Sequence, residues 1–175
     1  DIQGADAGIL RALKNANLSM RDLHQAAAAL GNVTHDAEGR FVILEAPPCD
    51  PNILGFISDL AMQVDSVDMV IAFFRSTDGI KFSVRTSARE VTAVELAAAL
   101  TAGGLGSGGG HGEKAGGYIN KARFLAVYGD RDPMEYFAAS VRQHIAAYAI
   151  LDCATQRGAD MQGMRVYKKL PVPVG

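Results

Sequence analysis

A glycine-rich segment near the middle of the chain combines residue types that could bind an anion. The segment GGLGSGGGHGEKAGGYIN, residues 103–120, holds nine of the nineteen glycines and places His111 among them. Glycines let backbone N–H groups approach a ligand closely, and successive N–H groups at a loop or helix start favour negative charge. A histidine beside them adds a hydrogen-bond donor and, when protonated, a cation. The segment therefore predicts an anion-binding loop that runs into a helical turn. A packing role, with His111 as a helix cap, explains the same residues equally well.

Three familiar explanations of such a segment do not fit the sequence around it. A flexible Gly/Ser linker lacks side chains that pack, whereas this segment lies between a predicted helix and a predicted strand. Gly104, Gly106 and Gly109 match the spacing G-x-G-x-x-G. A dinucleotide site needs a strand before that turn, and here a helix precedes it. No Gly-Lys-Ser/Thr follows, so the segment is not a Walker loop.

The segment IKFSVRTS, residues 80–87, supplies a second candidate for anion binding. Its alternation predicts a strand with one apolar face and with Lys81, Ser83, Arg85 and Ser87 on the other face. A guanidinium can hold a phosphate through two parallel hydrogen bonds, which a lysine cannot reproduce. Arg85 is therefore predicted to contact a ligand. The alternative is an ordinary solvated charge.

The elements that must position these residues alternate between helices and strands. Capping residues predict helices that begin after Ser19, Asp50, Thr92 and Asp132, and a further short helix is predicted in AGILRALKNA. Strands are predicted around a turn at DAEG, on both sides of a turn at STDG, in YINKARFLAVY and in MRVYKKLPVPV. This order predicts an α/β fold in which helices flank one mixed β-sheet.

The composition limits the classes of function. A chain of 175 residues with 49% hydrophobic and 21% charged residues is typical of a globular domain. A net charge of −2 argues against non-specific binding of long nucleic acids, yet it allows a small site for one phosphorylated ligand. Cys49 and Cys153 lack metal-ligand spacing and are expected to be free thiols in the cytoplasm. No apolar run reaches the roughly 18 residues of a membrane helix. The chain begins DIQGAD without a methionine, so we expect a fragment or a processed product.

The order of these motifs resembles the DHHA1 domain of the DHH phosphoesterases. In that family a strand like SVRTS is followed by a helix, by GGGH and by AGG, and the resemblance covers roughly residues 67–119. The GGGH loop and an arginine on a nearby strand hold the phosphates of the substrate in the family. The resemblance therefore implies a DHHA1-like fold with these substrate-binding residues: Arg85, Thr86, Ser87, Gly108, Gly109, Gly110, His111 and Lys114. Lys114 stands where the family often has a small residue, and Gly112 after the histidine is also unusual.

The resemblance also implies metals and a partner domain outside this chain. DHH enzymes bind two divalent cations, usually manganese, through Asp and His clusters in an N-terminal DHH catalytic domain. This chain lacks the Asp-His-His triplet, and the acid–histidine pair in THD, residues 34–36, has no partners at metal-ligand spacing. No catalytic residue and no metal ligand are therefore expected here. Mn²⁺ or Mg²⁺ is expected in the separate domain.

Three segments and one main function are predicted on this basis. Residues 1–46 are expected to form helices and a hairpin that lead from the catalytic domain, residues 47–120 a DHHA1-like substrate-binding core, and residues 121–175 a strand, a long helix and a tail. The expected ligand is a short oligonucleotide or a small phosphorylated nucleotide, whose phosphodiester or phosphate bonds the intact enzyme hydrolyses. A homodimer is compatible with the resemblance. The alternatives are a non-catalytic nucleic-acid or nucleotide-binding module and a dimerisation domain without a ligand.

Overall fold

Five helices and six strands make up the part of the chain that the structure describes. This structure is a computed structural model that describes residues 18–36, 39–88 and 91–158, with side chains as far as residue 146. The helices are α1 (Met20–Gly31), α2 (Pro51–Ala61), α3 (Ala93–Leu100), α4 (Lys121–Tyr128) and α5 (Pro133–Gly158). The strands are β1 (Val33–His35), β2 (Phe41–Glu45), β3 (Met69–Arg75), β4 (Gly79–Thr86), β5 (Gly106–His111) and β6 (Lys114–Asn120). The predicted helix at residues 7–16 and the predicted strand at residues 164–174 lie outside the described residues.

The six strands form one mixed sheet in the order β1-β2-β3-β4-β6-β5. The parallel strands β2 and β3 are connected through α2, and the other neighbouring strands are antiparallel. The predicted fold class, a mixed sheet flanked by helices, is confirmed. The three-segment division of the chain stays a prediction, and the sheet crosses its first boundary because β2 pairs with β3. In the three described ranges, no helix is both long and apolar enough to span a membrane.

Capping residues start the helices where the sequence predicts them. Ser19 Oγ accepts a hydrogen bond from the N–H of Asp22, and the Asp22 carboxylate accepts one from the N–H of Ser19. Thr92 and Glu95 form the same reciprocal pair at the start of α3. The side chain of Asp50 caps α2. These side chains satisfy backbone N–H groups that the first helical turn leaves unpaired.

The sheet separates two apolar clusters. On one face, α3 and α5 cover a buried aromatic group in which the Phe137 ring lies 4.9 Å from the Phe73 ring and 5.8 Å from the Phe82 ring. On the other face, α1 and α2 pack on the sheet, and Ile57 and Val70 are fully buried there. Burial of such a side chain contributes about 1.5–3 kcal/mol. Helix α2 contacts β3 and β4, and an open cleft remains beside it over β4 and β6.

An ion-pair cluster joins three elements at the end of β3. Arg75 donates from Nε and Nη2 to the two carboxylate oxygens of Glu45, at 2.6 and 3.1 Å, and from Nη2 to Asp132 Oδ1 at 2.7 Å. The hydrogen bond to Glu45 raises the pKa of the Arg75 guanidinium, and the charge of Asp132 adds to this effect. Asp132 Oδ1 also accepts from the N–H of Met134 at 3.2 Å. The cluster therefore connects β2, β3 and the start of α5.

The glycine-rich segment forms a β-hairpin, so the predicted loop followed by a helical turn is wrong. All six residues of β5 pair with β6, and Gly112 in the turn has a φ of +35°. A Cβ on Gly106 would lie 1.8 Å from the carbonyl oxygen of Tyr118, and a Cβ on Gly110 would lie 2.2 Å from that of Lys114. The two backbones thus approach too closely for any other residue at these positions.

The segment of residues 118–128, predicted as a strand, also differs from that prediction. Only its first residues belong to β6, and Lys121–Tyr128 is helix α4. The side-chain oxygen of Asn120 accepts from the N–H of Arg123 at 3.1 Å, which caps this helix. Phe124 of α4 packs against Tyr136 of α5, with ring centroids 5.2 Å apart. This aromatic contact stabilises the segment as a helix on the sheet.

Candidate functional site

A cleft of about 960 Å³ lies between α2 and the sheet. Its wall on α2 is largely apolar and includes Leu54, Phe56 and Leu60. Its floor is polar, because the sheet residues that alternate with the aromatic core face the cleft. The floor residues with polar side chains are Lys81, Ser83, Arg85, Lys114 and Tyr118. A concave site with an apolar wall and a few convergent polar groups is typical of small-molecule binding.

Arg85 is firmly anchored in the floor of the cleft. Only 14% of its side chain is exposed, and its Nε donates to Asp59 Oδ1 at 2.7 Å. Its Nη1 donates to Ser83 Oγ at 2.9 Å and to the carbonyl oxygen of Val84 at 3.0 Å. The two hydrogen bonds from Nη1 hold the guanidinium in place independently of Asp59, and this preorganisation lowers the entropic cost of binding an anion.

Helix α2 passes close to this guanidinium because it has a glycine at the point of contact. A Cβ on Gly55 would lie 3.0 Å from Arg85 Nη2, which is tighter than ordinary contacts between Cβ and its neighbours. Asp59 follows Gly55 by about one helical turn, so both residues lie on the same face of α2. Gly55 therefore gives the arginine room, and Asp59 holds it.

Lys114 places a second cation beside Arg85. The two residues are register partners in β4 and β6, so their side chains lie on the same face of the sheet. Lys114 Nζ donates to Asp59 Oδ1, the atom that Arg85 also contacts, at 3.2 Å. The charged residues that line the cleft are Lys81, Arg85, Lys114, Asp59 and Glu113. Among the described lining residues, three cations against two carboxylates give a net charge of +1, in a chain whose net charge is −2.

Thr86 and Ser87 also line the cleft, and their hydroxyl groups contact the backbone. Thr86 is buried, and its Oγ1 accepts from the N–H of Ala88 at 3.0 Å. Ser87 donates from its N–H to the carbonyl oxygen of Asp68 at 2.8 Å, and its Oγ lies 3.5 Å from the same oxygen. These contacts shape the end of β4, and a ligand contact by either residue stays a prediction.

His111 and the glycines before it lie one strand beyond the cleft. Gly108–Gly110 and His111 belong to the edge strand β5, and none of them lines the cleft. His111 is the register partner of Lys114, so its exposed side chain lies on the cleft side of the sheet. A Cβ on Gly109 would meet no atom within 4 Å, so there is open space beside its backbone. The predicted site residues that the cleft brings together are Arg85, Thr86, Ser87 and Lys114.

Two backbone hydrogen bonds fix the turn between β5 and β6. The N–H of Ala93 donates to the carbonyl oxygen of Gly112 at 2.9 Å. The N–H of Thr86 donates to the carbonyl oxygen of Glu113 at 3.1 Å. The turn is therefore attached to the start of α3 and to the end of β4. This attachment sets the position of His111 relative to the cleft.

Asp59, Gly55 and Phe56 are candidate site residues that sequence reasoning missed. Asp59 lies 26 residues before Arg85, and no local pattern connects the two. Gly55 inside the predicted helix was a local indication of the site. A glycine inside a well-formed helix costs about 1 kcal/mol relative to alanine and often indicates a close approach of another group.

The described residues do not fit a two-metal centre. They include no group of three or more His, Cys, Asp or Glu side chains that could hold a metal ion. In the acid–histidine pair, Asp36 Oδ1 accepts from the N–H of Phe41 at 3.0 Å, and His35 Nδ1 lies 2.7 Å from the carbonyl oxygen of Asp36. Both side chains thus contact the backbone of their own hairpin.

The fold and the cleft define an α/β domain with a cationic site of ligand size. The family model of the DHHA1 domain matches residues 38–129, more than half of the 175 residues. The chain belongs to the DHHA1 domain family.

Three solved structures are similar to this chain at low sequence identity, and the first supports the fold. An exopolyphosphatase-related protein from Bacteroides fragilis superposes with a TM-score of 0.56 at 17% identity, over 78% of this chain and 37% of its own. The C-Ala domain of alanyl-tRNA synthetase from Aquifex aeolicus superposes at 0.48 with 20% identity, over 63% of this chain and 96% of its own. RecJ in complex with Mg²⁺ from Thermus thermophilus superposes at 0.49 with 23% identity, over 72% of this chain and 17% of its own. This chain therefore spans little more than a third of the length of the first of these proteins. A search of curated proteins gave no match.

Proposed function

We propose that this chain is the substrate-binding C-terminal domain of a DHH family phosphoesterase, and that its cleft binds the phosphate groups of a short oligonucleotide or a small nucleotide. The observation that carries the proposal is the pair of cations, Arg85 and Lys114, on neighbouring strands in the floor of a cleft with surplus positive charge. Membership of the DHHA1 family supports the class of enzyme.

A phosphate group suits this pair of cations. Arg85 Nη2 makes no hydrogen bond with any described residue, and the Lys114 side chain is 62% exposed and able to move toward a ligand. Hydrogen bonds between ionised groups are roughly twice as strong as those between neutral groups. His111 lies on the same side of the sheet, two strand spacings or about 10 Å from β4. We assign it to a second phosphate, next along the ligand.

The apolar wall of the cleft suits a nucleobase. Phe56 is half-buried on α2, and Leu54 and Leu60 flank it in the lining. Stacking of a base on an aromatic ring contributes about 1–3 kcal/mol, as judged by alanine substitution. Sites for small ligands have volumes of roughly 300–1,000 Å³. The cleft, at about 960 Å³, is large enough for a nucleotide.

Hydrolysis is proposed for the intact enzyme and not for this chain alone. The described donors do not fit a two-metal centre, so a separate N-terminal DHH domain is proposed to hold Mn²⁺ or Mg²⁺. When bound there, such ions activate water and stabilise the leaving oxygen. The residues of this chain orient the phosphates. We place the intact enzyme in the cytoplasm, and we expect the isolated chain to bind weakly and to hydrolyse nothing.

Thermal unfolding with added ligand tests the proposal. Adenosine 3′,5′-bisphosphate and a 5′-phosphorylated dinucleotide are titrated into the wild type and into R85A, H111A and R142A. A ligand that binds the folded state raises Tm by mass action. Arg142 is a matched control, because it is exposed on α5 and lies over the ring of Phe41 on the other face of the sheet. The wild type and R142A should shift equally, H111A less, and R85A not at all.

Two outcomes contradict the proposal: no shift of the wild type at millimolar ligand, or a shift of R85A equal to that of the wild type. The salt dependence of binding then separates the ligand classes. Contacts with one or two phosphates give a shallow slope, because each phosphate on a single strand contributes about −0.7 to the slope of log K against log salt concentration. A steep slope indicates a module for long nucleic acids instead.

A further inference from the structure

The carboxylate of Asp59 lies between the two cations that we assign to phosphate. Its Oδ1 atom accepts from Arg85 Nε at 2.7 Å and from Lys114 Nζ at 3.2 Å. One oxygen atom on α2 thus serves two cations from two different strands. A phosphate oxygen that contacted both cations would need this same place.

A phosphate cannot bind Arg85 through two parallel hydrogen bonds while Asp59 is there. Such binding uses two adjacent N–H groups of the guanidinium. Nε donates to Asp59, and Nη1 donates to Ser83 and Val84, which leaves Nη2 without a partner among the described residues. A ligand that meets the cleft in this state gains a single bond from the arginine. Departure of Asp59 exposes the pair Nε and Nη2.

Asp59 can leave without releasing Arg85. Its side chain is 40% exposed and has no described hydrogen-bond partner apart from the two cations. The bonds from Nη1 to Ser83 Oγ and to the carbonyl oxygen of Val84 do not involve it. Rotation of the Asp59 side chain toward solvent therefore frees one edge of the guanidinium while the other edge remains anchored.

We propose that Asp59 is a specificity-determining residue that competes with the ligand: its carboxylate neutralises the two cations in the empty cleft, and a phosphate binds by displacing it. This inference rests on the proposed function of the cleft. Displacement costs the same for every anion. Weakly held anions therefore stay out, and only ligands that contact both cations strongly replace the carboxylate.

Isothermal titration of adenosine 3′,5′-bisphosphate into the full chain tests this role. The D59N substitution keeps the shape and one acceptor oxygen of the side chain but removes its charge, so the Kd should fall about tenfold. E113Q is the charge-matched control. Glu113 is exposed in the turn before β6, lines the same cleft, and its carboxylate contacts no described residue through a hydrogen bond. Because solvent and salt screen this carboxylate, the Kd of E113Q should fall less than about threefold.

The outcomes separate this inference from the proposed function. A tenfold gain in D59N with a smaller gain in E113Q supports both. If the wild type binds and D59N binds equally or more weakly, Asp59 does not compete and the proposed function stands. Equal gains in D59N and E113Q reduce the effect to net charge and also overturn the inference. If neither the wild type nor D59N binds, the proposed function fails, and the inference fails with it.

Discussion

Arg75 and Arg85 lie on neighbouring strands and both contact carboxylates, yet their surroundings differ in charge and in exposure. Arg75 contacts two carboxylates, those of Glu45 and Asp132, and half of its side chain is exposed. Arg85 contacts one carboxylate and is 14% exposed. Around Arg75, two carboxylates face one cation. Among the described residues that line the cleft, there are three cations and two carboxylates.

Exposure alone does not distinguish a structural arginine from one that we propose to bind a ligand. Arg75 uses Nε and Nη2 to join three elements, so it acts as a structural cross-link. Arg85 is more buried, but its Nη2 has no partner among the described residues and its counter-ion is shared with Lys114. A better indication of an anion-binding site is a hydrogen-bond donor without a described partner that lies in a cleft with surplus positive charge.

The largest effect on stability is expected where the Arg75 cluster meets α5. D132A removes an N-terminal cap worth about 1 kcal/mol and an exposed ion pair worth at most about 1 kcal/mol. Urea denaturation should therefore show a free energy of unfolding lower by about 1–2 kcal/mol, with the ligand Kd unchanged. D130A, two residues earlier, should change the free energy of unfolding by less than about 0.5 kcal/mol. Equal losses in the two variants would show that Asp132 has no special role.

The second-largest effect is expected on ligand binding, where replacing each arginine by lysine should distinguish Arg85 from Arg75. R85K keeps the charge but loses the planar fork, so its Kd for adenosine 3′,5′-bisphosphate should rise about tenfold, or about 1.4 kcal/mol. R75K should leave the Kd unchanged, because its cluster lies outside the cleft lining. Isothermal titration calorimetry measures the Kd of both variants. The distinction between the two arginines is wrong if R75K weakens binding as much as R85K does.

Gly55 gives a prediction in which stability and binding change in opposite directions. In G55A the new Cβ would lie 3.0 Å from Arg85 Nη2, so the guanidinium must shift and the ligand should bind severalfold more weakly. Alanine is the better helix former by about 1 kcal/mol, and the shift of the anchored guanidinium subtracts from this gain, so the free energy of unfolding should rise by less than about 1 kcal/mol. G31A is the control, since a Cβ on Gly31 would meet nothing within 4 Å. Tighter or unchanged binding by G55A would show that the contact with Arg85 is unimportant.

The smallest effect is expected at Cys49, just before α2. The carboxylate of Asp59 attracts the charge of Arg85, whereas the carboxylate of Asp50 repels the thiolate form of Cys49. Burial raises the pKa of the Cys49 thiol to about 11, and the charge of Asp50 adds to this shift. The thiolate is the reactive form, so the rate of alkylation by iodoacetamide should keep rising until the pH approaches 11. A C153S variant restricts the reaction to Cys49. A rate that levels off near pH 9 would contradict the raised pKa.

Features that depend on neighbouring residues in the chain could be predicted from the sequence. The caps at Ser19, Asp50 and Thr92 and the polar face of β4 are confirmed, because capping and strand alternation involve residues within one or two turns or strand repeats. The α/β class follows from the order of these elements. The position of Arg85 on the polar face follows for the same reason, since this face alternates with an apolar one.

Features that depend on contacts between distant segments could not be predicted. Glycine has a low strand propensity, so only pairing with β6 reveals that Gly106–His111 is a strand. The helix at Lys121–Tyr128 was missed because its aliphatic and aromatic residues also suit a strand, and the cap at Asn120 was not recognised. Asp59 was missed because its partners lie on strands far along the chain.

The edge strand β5 has one further consequence, for the order in which the sheet opens. Four of its six residues are glycines, and each glycine loses more conformational freedom on folding than another residue, roughly 0.5–1 kcal/mol relative to alanine. The strand is exposed throughout, and among the described residues it pairs with one strand, β6. Local opening has the lowest free energy where few side chains are buried. The edge strand that carries Gly108–Gly110 and His111 is therefore expected to open at a lower free energy than the buried central strands β3 and β4.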